Sequence, residues 1–103
     1  MRSNMTKNHL ARQAISDACD EIKVFLLNKN DSYGNSAFDP IRCFSKADTI
    51  EQINIRMDDK ISRLMRGQAS GEDVEKDLIG YLLLKQAYFK YITLIEEAEA
   101  SQS

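Results

Sequence analysis

The sequence predicts an all-α chain. Three observations carry that prediction. There is one proline and there are four glycines in 103 residues. Apolar side chains recur three or four positions apart over three long stretches. Capping residues stand at the edges of those stretches. Three long helices are expected, plus a short helical turn in the first loop. All of residues 1–103 are read as one α-helical domain, with 1–5 and 98–103 frayed.

The first helix is expected over residues 6–28. Ala11, Ile15, Ala18, Ile22, Phe25 and Leu26 make a stripe at helical spacing, opposite Arg12, Ser16, Asp20 and Lys23. Cys19 lies on the apolar side and reads as a small core residue. The run Asn28, Lys29, Asn30, Asp31 is expected to end the helix, because short polar side chains compete for backbone hydrogen bonds.

The second helix starts at "DTIE", where Asp48 can cap and Glu51 can reach back to it. Ile50, Ile53, Met57, Ile61 and Leu64 form its buried stripe. Gly67, closing "LMRG", is the expected stop. The turn "QASGEDVEKD" leads into the third helix, with Ser70 as cap and Glu72 and Asp73 in the first turn. That helix is expected to reach Glu97. Val74, Leu78, Tyr81, Leu82, Phe89 and Ile92 line one side, while Ile79, Leu83, Leu84 and Tyr91 add apolar surface elsewhere. A helix apolar nearly all round is buried on several sides. Two neighbours do not easily surround it, so the sequence predicts a helical bundle completed by self-association, most simply a homodimer; the alternative is a central helix wrapped by the other two and the loop.

The totals exclude several functions. A formal charge of −2, from 14 basic and 16 acidic side chains, provides no global field for nucleic acid or membrane. Any anion site must be local. Cys19 and Cys43 make neither a disulfide framework nor a ligand cluster, which points to a reducing, cytoplasmic setting. Residues 1–10 lack the apolar run of a secretory signal, and the densest apolar segment, 78–84, is too short to span a bilayer.

Candidate chemistry sits in two places. On the second helix Arg56, Lys60 and Arg63 fall at i, i+4 and i+7 along one edge of the apolar stripe, Lys60 nearest the buried face. Such a row either snorkels over the core, with Asp59 pairing to Arg63 at i+4, or binds phosphate. The first loop, "NKNDSYGNSAFDPIRCFSK", holds what a phosphate row lacks. Gly34 permits a tight turn or close backbone approach. Asn35 and Ser36 can hydrogen-bond an anion, Tyr33 can face a base, and Arg42 adds a guanidinium. "DPIRCF" is the expected helical turn, Asp39 capping and Pro40 leading, with Phe38, Ile41 and Phe44 plugging the open end of the bundle. The geometric expectation is that this loop closes over the basic row.

Acidic side chains are the second candidate. Asp73 and Asp77 share a face at i and i+4, and Asp59 can meet them from the second helix, giving three oxygens for a hard cation such as Mg²⁺. Asp77 lies close to the apolar side, where a lone carboxylate is costly, so it needs a partner among Lys60, Arg63 and Arg42.

The motif order "NKNDSYGNSAFDP", "IRCFSK", "INIRMDDKISRL", "EKDLIGYLLL" resembles the small phage and bacterial family called nucleotide modification associated domain 1. The matching residues are Asp31, Tyr33, Gly34 and Asn35, then Ile53, Arg56, Asp59, Lys60, Arg63 and Leu64, then Asp77, Leu78 and Tyr81. Ser32 stands between Asp31 and Tyr33 where the family's loop is tighter. The resemblance implies association with nucleotides or with nucleotide modification in a phage setting. A broader similarity is to the MazG-type all-α nucleotide pyrophosphohydrolases, which hold Mg²⁺ with paired acidic motifs on successive helices. Here Asp17-x-x-Asp20, Glu51-x-x-Asn54 and Glu72-x-x-Glu75 stand in for those motifs without completing them.

The expected function is therefore binding or sequestration of a nucleotide-like, signalling-type ligand through Tyr33, Gly34, Asn35, Ser36, Arg42, Arg56, Lys60 and Arg63, with no catalytic group required. The alternatives are a MazG-like Mg²⁺-dependent hydrolase or nucleotide-modification accessory protein using Asp59, Asp73 and Asp77, and a helical inhibitor of a host protein. Direct nucleic-acid binding is not expected, because Asp58, Asp59 and the acidic start of the third helix repel a phosphate backbone.

Overall fold

A computed structural model describes residues 2–68 and 73–102, with side chains from residue 6 onward. It holds three helices, α1 (Arg2–Tyr33), α2 (Thr49–Met65) and α3 (Val74–Gln102), and no strand among the described residues. The fold is all-α, as the periodicity requires. No described helix is long and apolar enough to cross a membrane. The chain forms two compact units, Met1–Tyr33 and Gly34–Ser103. The first is α1; the second is the α2–α3 hairpin with its leading loop.

α1 runs five residues past Asn28, the expected end. The polar run 28–31 carries only the modest helix penalty of ordinary residues, well under 1 kcal/mol each. Inside the helix, Lys29 Nζ sits 4.6 Å from the centre of the Phe25 ring one turn earlier, a cation–π contact that favours continuing. Termination comes instead from two consecutive left-handed residues, Gly34 at φ 60° and Asn35 at φ 64°. Glycine adopts that conformation freely, and asparagine is among the few others that tolerate it. The expected stripe is not buried as a stripe. Ile22, Phe25 and Leu26 are half-buried, whereas Ala11, Ile15, Ala18 and Cys19 are exposed. Cys19 is thus not a core residue.

α2 begins and ends where its signals put it. Asp48 is the N-cap, its Oδ1 accepting from Glu51 N–H at 2.8 Å. Gly67 has φ 68°. Around it, Gly67 N–H donates to Leu64 O at 3.2 Å and Gln68 N–H to Arg63 O at 2.8 Å. That pair of bonds is a Schellman close, which satisfies carbonyls left open by the last turn.

α3 starts at Val74, capped by Asp73, whose Oδ1 accepts from Lys76 N–H at 3.0 Å. Ser70 and Glu72, expected at this boundary, lie outside the described residues. α3 continues through Gln102, five residues beyond Glu97; the Glu/Ala content of "EEAEA" favours that extension.

The hairpin core is small. Among the described residues, Ile53 and Val74 are its buried large apolar side chains, 2% and 5% exposed, and Thr49 is buried at 4%. α3 is therefore not wrapped on several sides within the chain: Ile79, Leu82, Leu83, Phe89 and Leu94 are exposed.

Candidate functional site

The basic row is held by α2 and read against α3. Lys60 lies one helical step from the Ile53–Met57 seam, so its side chain points along the α2–α3 contact and is only 17% exposed. Asp77, one turn into α3, meets it from the other helix: Nζ to Oδ2 is 3.2 Å, with Asp77 19% exposed. Each charge supplies what the other's desolvation requires. The sequence argument that Asp77 needs a cation is met by the first of its three candidates.

Arg63 pairs within its own helix, Nη2 to Asp59 Oδ2 at 3.1 Å, and this pair is more open to solvent at 42% and 58%. Screening makes such a pair weak, so Arg63 is held loosely. Arg56 is exposed and has no ion-pair partner among the described residues. The row thus has a graded commitment: Lys60 tied, Arg63 tethered, Arg56 open.

All three line one open depression of about 530 Å³ between α2 and α3, together with Ile55, Asp59 and Tyr81. Tyr81 sits one turn beyond Asp77, on the same face of α3. It was not among the expected contacts. Its signal was present, however, in the four-residue spacing that puts it on the same face as Asp77.

The first loop is placed differently from expectation. None of Gly34, Asn35, Ser36 or Arg42 is among the described residues lining the depression, and Tyr33 belongs to the α1 unit. The physical reason is Phe38. Its ring stacks on Tyr91 at 5.0 Å and 28°, and tilts against Tyr88 at 6.0 Å. Those tyrosines lie seven and ten residues beyond Tyr81, about 10–15 Å along the helix axis. The turn itself forms at residues 34–38, where Phe38 and Asp39 N–H both donate to Asn35 O at 3.0 and 2.9 Å. It precedes "DPIRCF", which is not helical.

Arg42 serves the start of α2. Its Nη1 donates to Ala47 O and its Nη2 to Thr49 Oγ1 at 3.1 Å. Gln52 Nε2 donates to the same Ala47 carbonyl at 2.9 Å. Of the three expected plugs only Phe38 packs; Ile41 and Phe44 are 91% and 98% exposed.

The acidic trio does not assemble. Asp73 caps α3, Asp77 pairs with Lys60 and Asp59 with Arg63. Among the described residues no three acidic, His or Cys side chains are grouped to hold a metal ion. Helix-start and ion-pair roles account for each of these carboxylates.

No family model, curated protein or solved structure matches the chain. Its chemistry rests on its own residues.

Proposed function

We propose that the chain binds a phosphate-bearing, nucleotide-like small molecule in the α2–α3 depression, as a sequestering protein rather than an enzyme. One observation carries this reading: Arg56, Lys60 and Arg63 share a single open depression with an aromatic ring, Tyr81, and an aliphatic side chain, Ile55. Guanidinium groups suit phosphate because they donate in a planar fork. Tyr81 and Ile55 offer an apolar wall for a base. The motif order "INIRMDDKISRL" and "EKDLIGYLLL", which resembles the nucleotide modification associated family, supports the same ligand class.

In this proposal Arg56 makes the first contact and Arg63 exchanges Asp59 for phosphate, while Lys60 stays with Asp77 and contributes field. Hydrogen bonds to charged groups supply about 1.5–3 kcal/mol each. Several of them, with a stacked base, reach the roughly 8 kcal/mol of a micromolar complex.

Calorimetry of the full chain against pyrophosphate and a panel of nucleoside mono-, di- and triphosphates tests this. Arg56→Ala is expected to weaken binding at least tenfold with an unchanged melting temperature. Asp59→Ala, which removes the carboxylate paired with Arg63 and a negative charge from the wall, is expected to strengthen it. Equal affinity in both variants rejects the depression as the site.

A second reading, a helical protein that blocks a host partner, has its own observation in the exposed Ile41 and Phe44 of the loop. Loss of one captured protein on Phe44→Ala, with no nucleotide released from the denatured sample, favours that reading.

A further inference from the structure

At about 100° per residue, Ile79, Leu82, Leu83, Phe89 and Leu94 fall within an arc of about 140° on α3. Their exposures are 47%, 52%, 44%, 62% and 62%. Asp77, which pairs with α2, marks the opposite side. The patch runs about 22 Å along the helix, at 1.5 Å per residue. At roughly 200 Å² for a large apolar side chain, the five present about 500 Å² of apolar surface. That is near the upper end of what a monomer leaves uncovered, roughly 300–600 Å².

We infer that this outer face of α3 pairs antiparallel with the same face of a second copy of the chain. Area is the first argument. Apolar atoms supply about 60% of an interface, so two such patches meeting bury about 1,700 Å² in all, the size of a standard specific contact.

Self-complementarity is the second. A two-fold axis at Gln86 sets Leu83 against Phe89 and Leu82 against Lys90, and places Ile79 beside Thr93 and Leu94. An isologous contact requires that kind of match.

Charge chooses the direction. The C-terminal end of α3 carries Glu96, Glu97 and Glu99, and its last turn has no basic residue. A parallel pair sets Glu97, the one of these on the outer face, against its copy. An antiparallel pair sets it near the partner's helix N-terminus, the positive end of its dipole, with Lys76 one residue from the opposite position. Glu75 is the acid that remains at that end of the outer face. The pairing does not depend on the nucleotide reading, since the Arg56–Tyr81 depression opens on the α2 side.

Light-scattering mass measurement and cysteine cross-linking test this on the full chain. Phe89→Glu and Leu82→Glu are each expected to halve the mass of the wild-type assembly. In a Cys19→Ser, Cys43→Ser background, Gln86→Cys is expected to form disulfide-linked dimers on oxidation, while Glu97→Cys does not. The cross-link keeps the test valid if a glutamate variant fails to fold. A wild-type mass equal to one chain overturns the proposal, as does a mass unchanged by both glutamate variants. Self-linking of both Gln86→Cys and Glu97→Cys indicates a parallel pair and overturns it. Absence of the Gln86→Cys link means that another surface covers the face, and also overturns it.

Discussion

α2 and α3 are two arms of one hairpin with opposite habits. α2 gathers its apolar side chains toward one line, Ile53 and Met57 inward, and carries charge along the edge. α3 distributes them all round and turns only part of that surface to α2. The helix with the sharper stripe is the one whose structure can be explained within a single chain. For α3 the contacts inside the chain account for Val74, Asp77 and Tyr81, while Leu82 stays 52% exposed and Phe89, its ring edge-on to Tyr88 at 6.0 Å, stays 62% exposed.

The contrast is broken most severely at the seam. Among the described residues Ile53 is the largest fully buried side chain, and it lies on the helix that packs against α3. Ile53→Ala removes packing that the hairpin has no second layer to replace, and is expected to cost about 2–4 kcal/mol. Chemical denaturation followed by circular dichroism measures it. A loss below 1 kcal/mol would show that the hairpin is not what holds the unit together.

The next effects lie at the ends of α2, whose N-terminal aspartate cap α3 shares. Asp48→Ala removes the acceptor for Glu51 N–H and is expected to cost about 1 kcal/mol. Gly67→Ala is expected to cost a similar amount, about 1–2 kcal/mol, for a different reason. A methyl group there meets nothing within 4 Å, so the penalty comes wholly from holding alanine at φ 68°. Gly67→Asn, which tolerates that conformation better, should recover part of it. Equal losses in the alanine and asparagine variants would mean that the backbone argument is wrong.

Those ends also show what a sequence can reveal. α2 was legible from Asp48 to Gly67 because its caps act through bonds three to five residues long. The Lys60–Asp77 pair was legible too, since a carboxylate on an apolar face calls for a cation. The end of α1 was not. Its polar run lowers helix propensity without forbidding the helix, and the decisive event is the left-handed pair Gly34–Asn35, six residues after Asn28. The loop over the basic row failed for a tertiary reason. Phe38, Ile41 and Phe44 are chemically similar plugs, and only the arrangement of Tyr88 and Tyr91 selects Phe38 and draws the loop away from Arg56. Arg56, Lys60 and Arg63 do line one depression, and Tyr81 lines it with them; its four-residue spacing from Asp77 is the signal in the sequence that places it on that face.

The finest distinction between the helices lies in two residues of matched exposure. Ile55 is 54% exposed on α2 and Leu82 is 52% exposed on α3. Within one chain, Ile55→Ala and Leu82→Ala should be indistinguishable, each changing stability by about 0.5 kcal/mol or less, because alanine's helix propensity offsets the small loss of burial. At high protein concentration they should separate. If two α3 faces meet, the melting temperature of the wild type rises with concentration by mass action. Ile55→Ala should keep that rise and Leu82→Ala should flatten it, since Leu82 belongs to the stripe of Ile79, Leu83 and Phe89 while Ile55 stands on a wall with Arg56 and Asp59. A concentration series of melting curves for the three proteins reads this directly. Parallel slopes for both variants would remove the distinction between the helices, and would leave the apolar girth of α3 as a feature of composition rather than of assembly.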